Sequence, residues 1–240
     1  MSWFIHWFNS PYYHTLYKNR DEEEAKTFID NLVAKLHLKK DSKLIDIACG
    51  QGRHANYFHK KGMNVVGVDL SKNSIETAKQ SKKKNLQFSI HDMREVYKNN
   101  YFDIATNLFT SLGYFEKTED EQKAINAMAK NLKPGGFLII DFMNVKNVIS
   151  NLLEVEKKEV DKITFKINRR FDGKHIIKNI MFSDKGEDYC FQEKVRALSL
   201  VDFSTFIEAA GLKIINIFGN YNLEDFDENS SRRLILICKK

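Results

Sequence analysis

Residues 44–52, Leu44-Ile45-Asp46-Ile47-Ala48-Cys49-Gly50-Gln51-Gly52, decide the fold. An apolar run with a single acid leads into two glycines, and Val65-Val66-Gly67-Val68-Asp69 follows. The order reads as strand, glycine turn, helix and second strand, with an acid at the second strand's tip. That is the layout of a nucleoside-binding βαβ unit. Gly50 and Gly52 lack a Cβ, so the chain can turn tightly there and a ligand can reach bare backbone. The amides that open the next helix can meet a ligand's polar end. Asp69 stands 19 residues after Gly50. It can accept the two hydroxyls of a ribose. It can equally cap the helix that starts near Ser71.

Gly50-Gln51-Gly52-Arg53-His54-Ala55 also fits the dinucleotide pattern G-x-G-x-x-G/A. Two features oppose a dinucleotide. Asp46 puts a carboxylate near the glycine turn, which repels a pyrophosphate and attracts an ammonium or sulfonium. The first strand also ends Asp-x-Ala-Cys-Gly instead of running apolar into the first glycine. An NAD-dependent oxidoreductase is disfavoured on these grounds.

Asp46-Ile47-Ala48-Cys49-Gly50-Gln51-Gly52 closely resembles the D-x-x-C-G-x-G motif of class I S-adenosylmethionine (SAM)-dependent methyltransferases. Ser89-Ile90-His91-Asp92-Met93 is similar to the family segment whose acid and next residue hold the adenine. Tyr101 to Phe109 is similar to the family's fourth strand, which ends beside the transferable methyl. Leu132-Lys133-Pro134-Gly135-Gly136-Phe137-Leu138-Ile139-Ile140 matches the turn into its fifth strand. The resemblance covers residues 40 to 145 most strongly. It implies a doubly wound, mostly parallel seven-stranded sheet of Rossmann-like methyltransferase type. It implies SAM as cofactor, S-adenosylhomocysteine (SAH) as product, and no metal. The cofactor-binding residues it implies are Asp46, Ala48, Gly50, Gly52, Asp69, Leu70, Asp92, Met93 and Leu108.

Strands alternating with helices predict a parallel sheet covered on both faces. The expected elements are strand 43–48, helix 52–61, strand 64–69, helix 72–82, strand 85–90, strand 102–107, helix 118–131 and strand 136–141. Ahead of them, Ala25, Phe28, Ile29, Leu32, Val33 and Leu36 follow helical spacing within an amphipathic helix over 21–38. From 155 to 197 the pattern changes to alternation: Ile163, Phe165 and Ile167 interleave with polar residues. Asp172-Gly173 signals a hairpin turn, a second turn lies near 183–187, and Tyr189, Phe191, Glu193 and Val195 mark a third strand. A helix over 200–210 stops at Gly211, and strands at 213–218 and 233–238 close the chain. The acidic stretch 222–231 between them reads as a solvated loop. The organisation expected is one domain: a helical lid (1–38), a SAM-binding core (40–150), an antiparallel β insertion (155–197), and a final helix with a strand hairpin (200–240). Family members acting on small amines and amino sugars carry similar insertions over their substrate pocket.

Trp3, Phe4, Trp7, Phe8, Tyr12, Tyr13 and Tyr17 crowd the N-terminus. Such a patch marks a contact surface. Packing on the body, a dimer contact and a lid over the ligand all satisfy it. The segment Ser10 to Tyr17 is similar to the helix that many relatives place over the methionine of SAM. Tyr13 matches the tyrosine of that helix. Arg20 would pair with the methionine carboxylate, since arginine binds carboxylates bidentately.

The chain has 240 residues, 42% of them hydrophobic and 29% charged, which suits a globular domain with an adequate core. Cys49, Cys190 and Cys238 form no C-x-x-C pair, so reduced cysteines in the cytoplasm are expected. Met1 to Tyr13 lacks a basic start and a cleavage site, unlike a signal peptide. No apolar run approaches the roughly 20 residues that span a bilayer, so no membrane partner is expected. The net charge of +6 admits nucleic acid. Its densest cluster, Lys82-Lys83-Lys84, ends a helix where cations suit the helix dipole, so nucleic acid is disfavoured. A monomer or a homodimer is expected.

The leading expectation is a SAM-dependent methyltransferase with a small-molecule N- or O-nucleophile as acceptor. An RNA or protein methyltransferase and a non-catalytic SAM- or nucleoside-binding protein are the alternatives. Methyl transfer from a sulfonium is an in-line displacement that rests largely on positioning. A neutral amine attacks unaided, whereas a hydroxyl wants a base such as histidine. His14 and His91 fall in segments bordering the expected pocket, and no catalytic base is assigned. Asn107-Leu108-Phe109-Thr110 differs from the N-P-P-[YF] tetrapeptide of methyltransferases acting on adenine, cytosine or glutamine nitrogens.

Overall fold

The structure, a computed structural model, describes residues 3–18, 22–81 and 83–240. The chain begins with three helices, α1 (Trp3–Phe8), α2 (Pro11–Leu16) and α3 (Glu22–Lys35). Ser10 separates the first two: its hydroxyl accepts the Tyr12 N–H, and Pro11 opens α2 at a position that needs no amide donor. The alternating core follows as β1 (Lys43–Ile47), α4 (Arg53–Lys60), β2 (Asn64–Asp69), α5 (Lys72–Lys79), β3 (Leu86–Ile90), β4 (Phe102–Asn107), α6 (Thr118–Asn131) and β5 (Leu132–Met143). After α7 (Val145–Ser150) come β6 (Val155–Val160), β7 (Ile163–Phe171), β8 (His175–Asp184) and β9 (Glu187–Arg196). The chain closes with α8 (Leu200–Ala209), β10 (Lys213–Phe218) and β11 (Arg233–Lys239).

The main sheet has seven strands in the order β10-β11-β5-β4-β1-β2-β3. Strands β1 to β5 are parallel, and β11 and β10 pair antiparallel at one edge. The expected doubly wound sheet is therefore present. Alternate side chains of each strand feed opposite faces. Leu138, Ile140 and Phe142 pack with Phe203 and Met128 under α6 and α8, while Ile139, Ile235 and Ile237 belong to the other core with Phe28, Leu32 and Phe58. Strand order reverses between β1 and β4, and the crevice at that switch point is where ligands of such sheets bind.

The insertion holds four antiparallel strands in the order β6-β7-β8-β9, where the sequence pattern revealed three. Two properties hid β6. Its sequence, Val-Glu-Lys-Lys-Glu-Val, carries the charges that protect an edge strand. It also joins β7 through Asp161-Lys162, both at positive φ without a glycine to signal the turn. The inner face of this sheet packs against the N-terminal helices. Trp7, Leu16, Phe165, Ile167, Ile180 and Phe182 form a third apolar cluster there. Of the aromatic crowd at the N-terminus, Trp7, Phe8, Tyr12, Tyr13 and Tyr17 thus pack on the insertion, and the side chains of Trp3 and Phe4 lie outside the described residues. The stretch after β10 is more than a solvated loop: Tyr221 stacks on Phe28 with centroids 4.6 Å apart, and Phe226 packs on the main core.

Candidate active site

The glycine turn leaves β1 through three residues in the left-handed region: Ala48 (φ 59), Gly50 (φ 54) and Gly52 (φ 81). The two glycines serve different ends. A Cβ on Gly50 would meet nothing within 4 Å, so its backbone faces open space. A Cβ on Gly52 would lie 2.6 Å from the Phe88 ring, so that glycine lets α4 close onto the sheet. Gly50 donates its N–H to Asp69 Oδ2 at 2.8 Å, and Ser71 donates to Asp69 Oδ1 at 2.8 Å. Asp69 therefore joins the glycine turn to the start of α5. Helix α5 itself is capped by Ser71, whose hydroxyl accepts the Ser74 N–H. Burial pushes the Asp69 pKa above the usual carboxylate range.

A cleft of about 1210 Å³ opens over this junction. Ala48, Gly50, Asp69, Leu70, Asp92, Met93 and Leu108 line it from the core, and Tyr13, His14 and Tyr17 from the N-terminal helices. Phe109 and Tyr114 line it beyond β4, and Asp161 and Glu193 from the insertion. Eight expected residues meet here: Tyr13, Ala48, Gly50, Asp69, Leu70, Asp92, Met93 and Leu108. Arg20 lies outside the described residues.

Two expected residues do not line the cleft. Gly52 packs on Phe88, as above. Asp46 is buried behind the turn, where the Thr106 hydroxyl donates to its Oδ1 at 2.8 Å. Its Oδ2 has no hydrogen-bond partner among the described residues. Burial, opposed by the Thr106 bond, raises its pKa to about 7. Asp92 does face the cleft, but Arg94 holds its carboxylate through Nε and a terminal nitrogen and also reaches Asp120. That guanidinium keeps Asp92 below the usual carboxylate range. Of the three acids, only Asp69 combines cleft exposure with a carboxylate free of an ion pair among the described residues.

The roof is held by three carboxylates of the insertion. Glu193 accepts from Trp7 Nε1 at 2.8 Å and from the Tyr17 hydroxyl at 2.7 Å, and Lys178 pairs with it at 3.5 Å. Tyr12 donates to Asp184 at 2.8 Å, and Lys18 pairs with Asp161 at 2.9 Å. The insertion thus carries the N-terminal helices over the cleft, and Tyr13 comes with them. His91 Nε2 lies 2.9 Å from the Glu95 carbonyl oxygen, an acceptor, so that nitrogen carries the proton. Cys49 is buried and its thiol is pushed up, which leaves it inert.

Sequence reasoning missed the groups that hold the loop after β4. Asp141 of β5 accepts the Phe109 N–H, the Tyr221 hydroxyl and Arg233 Nε. Glu121 of α6 accepts the Gly113 N–H, and Arg196 at the end of β9 donates to the Phe115 and Glu116 carbonyls. Asp141 had a visible signal: an acid within Leu138-Ile139-Ile140-Asp141-Phe142 must find partners when its strand is buried. Among the described residues, no cluster of His, Cys, Asp or Glu could hold a metal ion. No described helix is long and apolar enough to cross a membrane.

The sheet order, the glycine turn at its switch point and the acid at the tip of β2 give the chain the Rossmann-like fold of class I methyltransferases. Residues 45–140 match the family described as "Methyltransferase domain". A dTDP-3-amino-3,4,6-trideoxy-alpha-D-glucopyranose N,N-dimethyltransferase from Streptomyces venezuelae is 31% identical over 102 residues, 42% of this chain and 42% of that protein. The chain spans 42% of the length of that relative and 43% of the length of two other curated relatives it matches. Solved structures extend the likeness to the whole fold. A SAM-dependent methyltransferase from Clostridium acetobutylicum superposes with a TM-score of 0.80 at 21% identity, covering 95% of this chain and 96% of that one. An amino pentose methyltransferase from Micromonospora echinaspora, solved with SAM bound, gives 0.72 at 18% identity, covering 96% and 97%.

Proposed function

We propose that this protein binds SAM in the cleft and transfers its methyl group to a small-molecule acceptor. The observation that carries the reading is the Gly50–Asp69 junction: bare backbone facing open space, tied to a carboxylate at the switch point of the sheet. Asp69 spends two of its roughly four acceptor sites on Gly50 and Ser71 and keeps the others for the ribose hydroxyls. Ala48 and Gly50 would flank the methionine end under Tyr13, and Met93 and Leu70 the adenosine. Leu108 would stand by the sulfur. When bound, SAM supplies a methyl group activated by a sulfonium, so the protein's task is alignment and exclusion of water.

Three facts favour a small acceptor. The cleft exceeds the roughly 300–1,000 Å³ of a single-ligand pocket, leaving room for a second small molecule beside the cofactor. Its roof of N-terminal helices, latched to the insertion through Glu193, suits an acceptor small enough to sit beneath it. A relative named as an amino-sugar N,N-dimethyltransferase matches the core in sequence, and an amino pentose methyltransferase shares the fold. An amine fits best, because it attacks in its neutral form without a base. In this reading the core, the N-terminal lid, the insertion and the closing hairpin work as one unit around one cleft.

Titration calorimetry with SAM and SAH tests the cofactor. Mass spectrometry of SAM-dependent methylation across small amines, hydroxyl compounds and bulk tRNA tests the acceptor. Binding of SAH with methylation of an amine supports the reading. Absence of binding to either ligand at millimolar concentration defeats it, and methylation confined to tRNA replaces the acceptor.

A further inference from the structure

The loop that leaves β4 has an unusual backbone. Phe109 and Thr110 both lie in the left-handed region, at φ 65 and φ 58. Neither is glycine, and threonine is β-branched, so outside a tight hairpin turn such as Asp161-Lys162 two such residues in succession need groups that hold them. The enforcing groups are specific. Asp141, 1% exposed, accepts the Phe109 N–H on Oδ2 at 2.9 Å, and its own backbone carbonyl accepts the Thr110 N–H at 2.9 Å. Arg233 donates Nε to Asp141 Oδ1 at 2.7 Å and a terminal nitrogen to the Thr110 hydroxyl at 3.0 Å. Tyr221 donates its hydroxyl to Asp141 Oδ2 at 3.0 Å. The Phe109 ring lies near two guanidiniums, Arg53 at 5.4 Å and Arg233 at 5.8 Å.

A buried ion pair is a costly way to stabilise a sheet, since apolar residues of similar volume commonly do as well. Its polar reach is therefore informative, and here it is directed at two consecutive residues on the cleft side of β4. We propose that Asp141 and Arg233 are positioning residues. They lock Phe109 and Thr110 in the left-handed turn and so fix the wall against which the methyl acceptor stands. The word acceptor rests on the functional reading above; the locking of the loop does not. Asp141 and Arg233 do not line the cleft, whereas Phe109 does. The pair acts on the acceptor wall through Phe109 and leaves the Gly50–Asp69 junction untouched.

The test compares wild type with Asp141→Asn and Thr110→Ala. Amide hydrogen exchange is measured by NMR, and SAH binding by calorimetry. In Asp141→Asn, the Phe109 and Thr110 amides exchange on the order of tenfold faster, while amides of Ile104 and Leu138 within β4 and β5 keep their protection. SAH affinity stays within about threefold, because its subsite is anchored elsewhere. Thr110→Ala removes the hydroxyl that Arg233 grips, leaves the buried pair intact, and loosens the Thr110 amide alone. Unchanged exchange at both amides overturns the proposal. An even rise along β4, β5 and β11 also overturns it, by making the pair an ordinary core contact. A parallel loss of SAH affinity assigns the pair to the cofactor instead. Failure of the wild type to bind SAH defeats the functional reading, while the exchange data still judge the lock.

Discussion

The two glycines of the turn should fail in opposite ways when each gains a methyl group. In Gly52→Ala the new Cβ stands 2.6 Å and 2.7 Å from two ring carbons of Phe88 and 3.4 Å from Ala78 Cβ. Phe88 is 5% exposed and fills the space under α4 and α5, so its ring has little freedom to withdraw. The left-handed backbone adds about 1–2 kcal/mol and the overlap about 1–3 kcal/mol, for a loss of about 2–5 kcal/mol. For a chain of this size that lowers Tm by on the order of 10 °C. In Gly50→Ala the Cβ meets nothing within 4 Å, so only the backbone term of about 1–2 kcal/mol remains. The same methyl then occupies space assigned to the cofactor, and SAH affinity falls by about tenfold or more. Differential scanning calorimetry and SAH titration on both variants read the two effects. Phe88→Leu in the Gly52→Ala background shortens the obstructing ring and should return part of the lost stability, a coupling a double-mutant cycle measures. If Gly52→Ala melts like wild type yet cannot bind SAH, or Gly50→Ala binds SAH normally, the division of labour between these glycines is wrong.

Asp69→Asn retains one acceptor oxygen where two serve Gly50 and Ser71, so SAH affinity should drop about ten- to a hundredfold in a calorimetric titration; unchanged affinity removes Asp69 from the site. Burial lifts Asp46 and Glu121 each to about 7, so the folded protein keeps protons that the unfolded chain releases from about pH 4 upward. Stability should therefore decline as pH rises from about 4 through 7 and level off above, and Asp46→Asn should flatten that slope in urea unfolding; a slope of opposite sign counts against both assignments. Glu193→Ala removes the acceptor shared by Trp7 and Tyr17, so limited proteolysis should cut the N-terminal helices about tenfold faster while the sheet stays intact; equal rates show that these helices are held without Glu193.

Much of this protein is written locally in its chain. Asp46 to Gly52 and Val65 to Asp69 declare a βαβ unit, because strand period, glycine turn and terminal acid all fall within one short stretch. The helix and strand order follows from the same periodicities, and the Asp172-Gly173 turn announces a hairpin. What the chain could not display alone is which polar groups meet. Asp46, Asp69 and Asp92 look alike in sequence, yet burial removes the first from the cleft and Arg94 occupies the third. Glu193 meets Trp7 across 186 residues, and Arg233 meets Asp141 across 92. Pairings over such separations leave no periodic trace, since they depend on how layers stack and not on neighbours along the backbone. The scaffold and the glycine cradle were thus determined by local sequence. The roof, the locked loop after β4 and the choice of the one available carboxylate were decided only when the sheet, the insertion and the N-terminal helices came together.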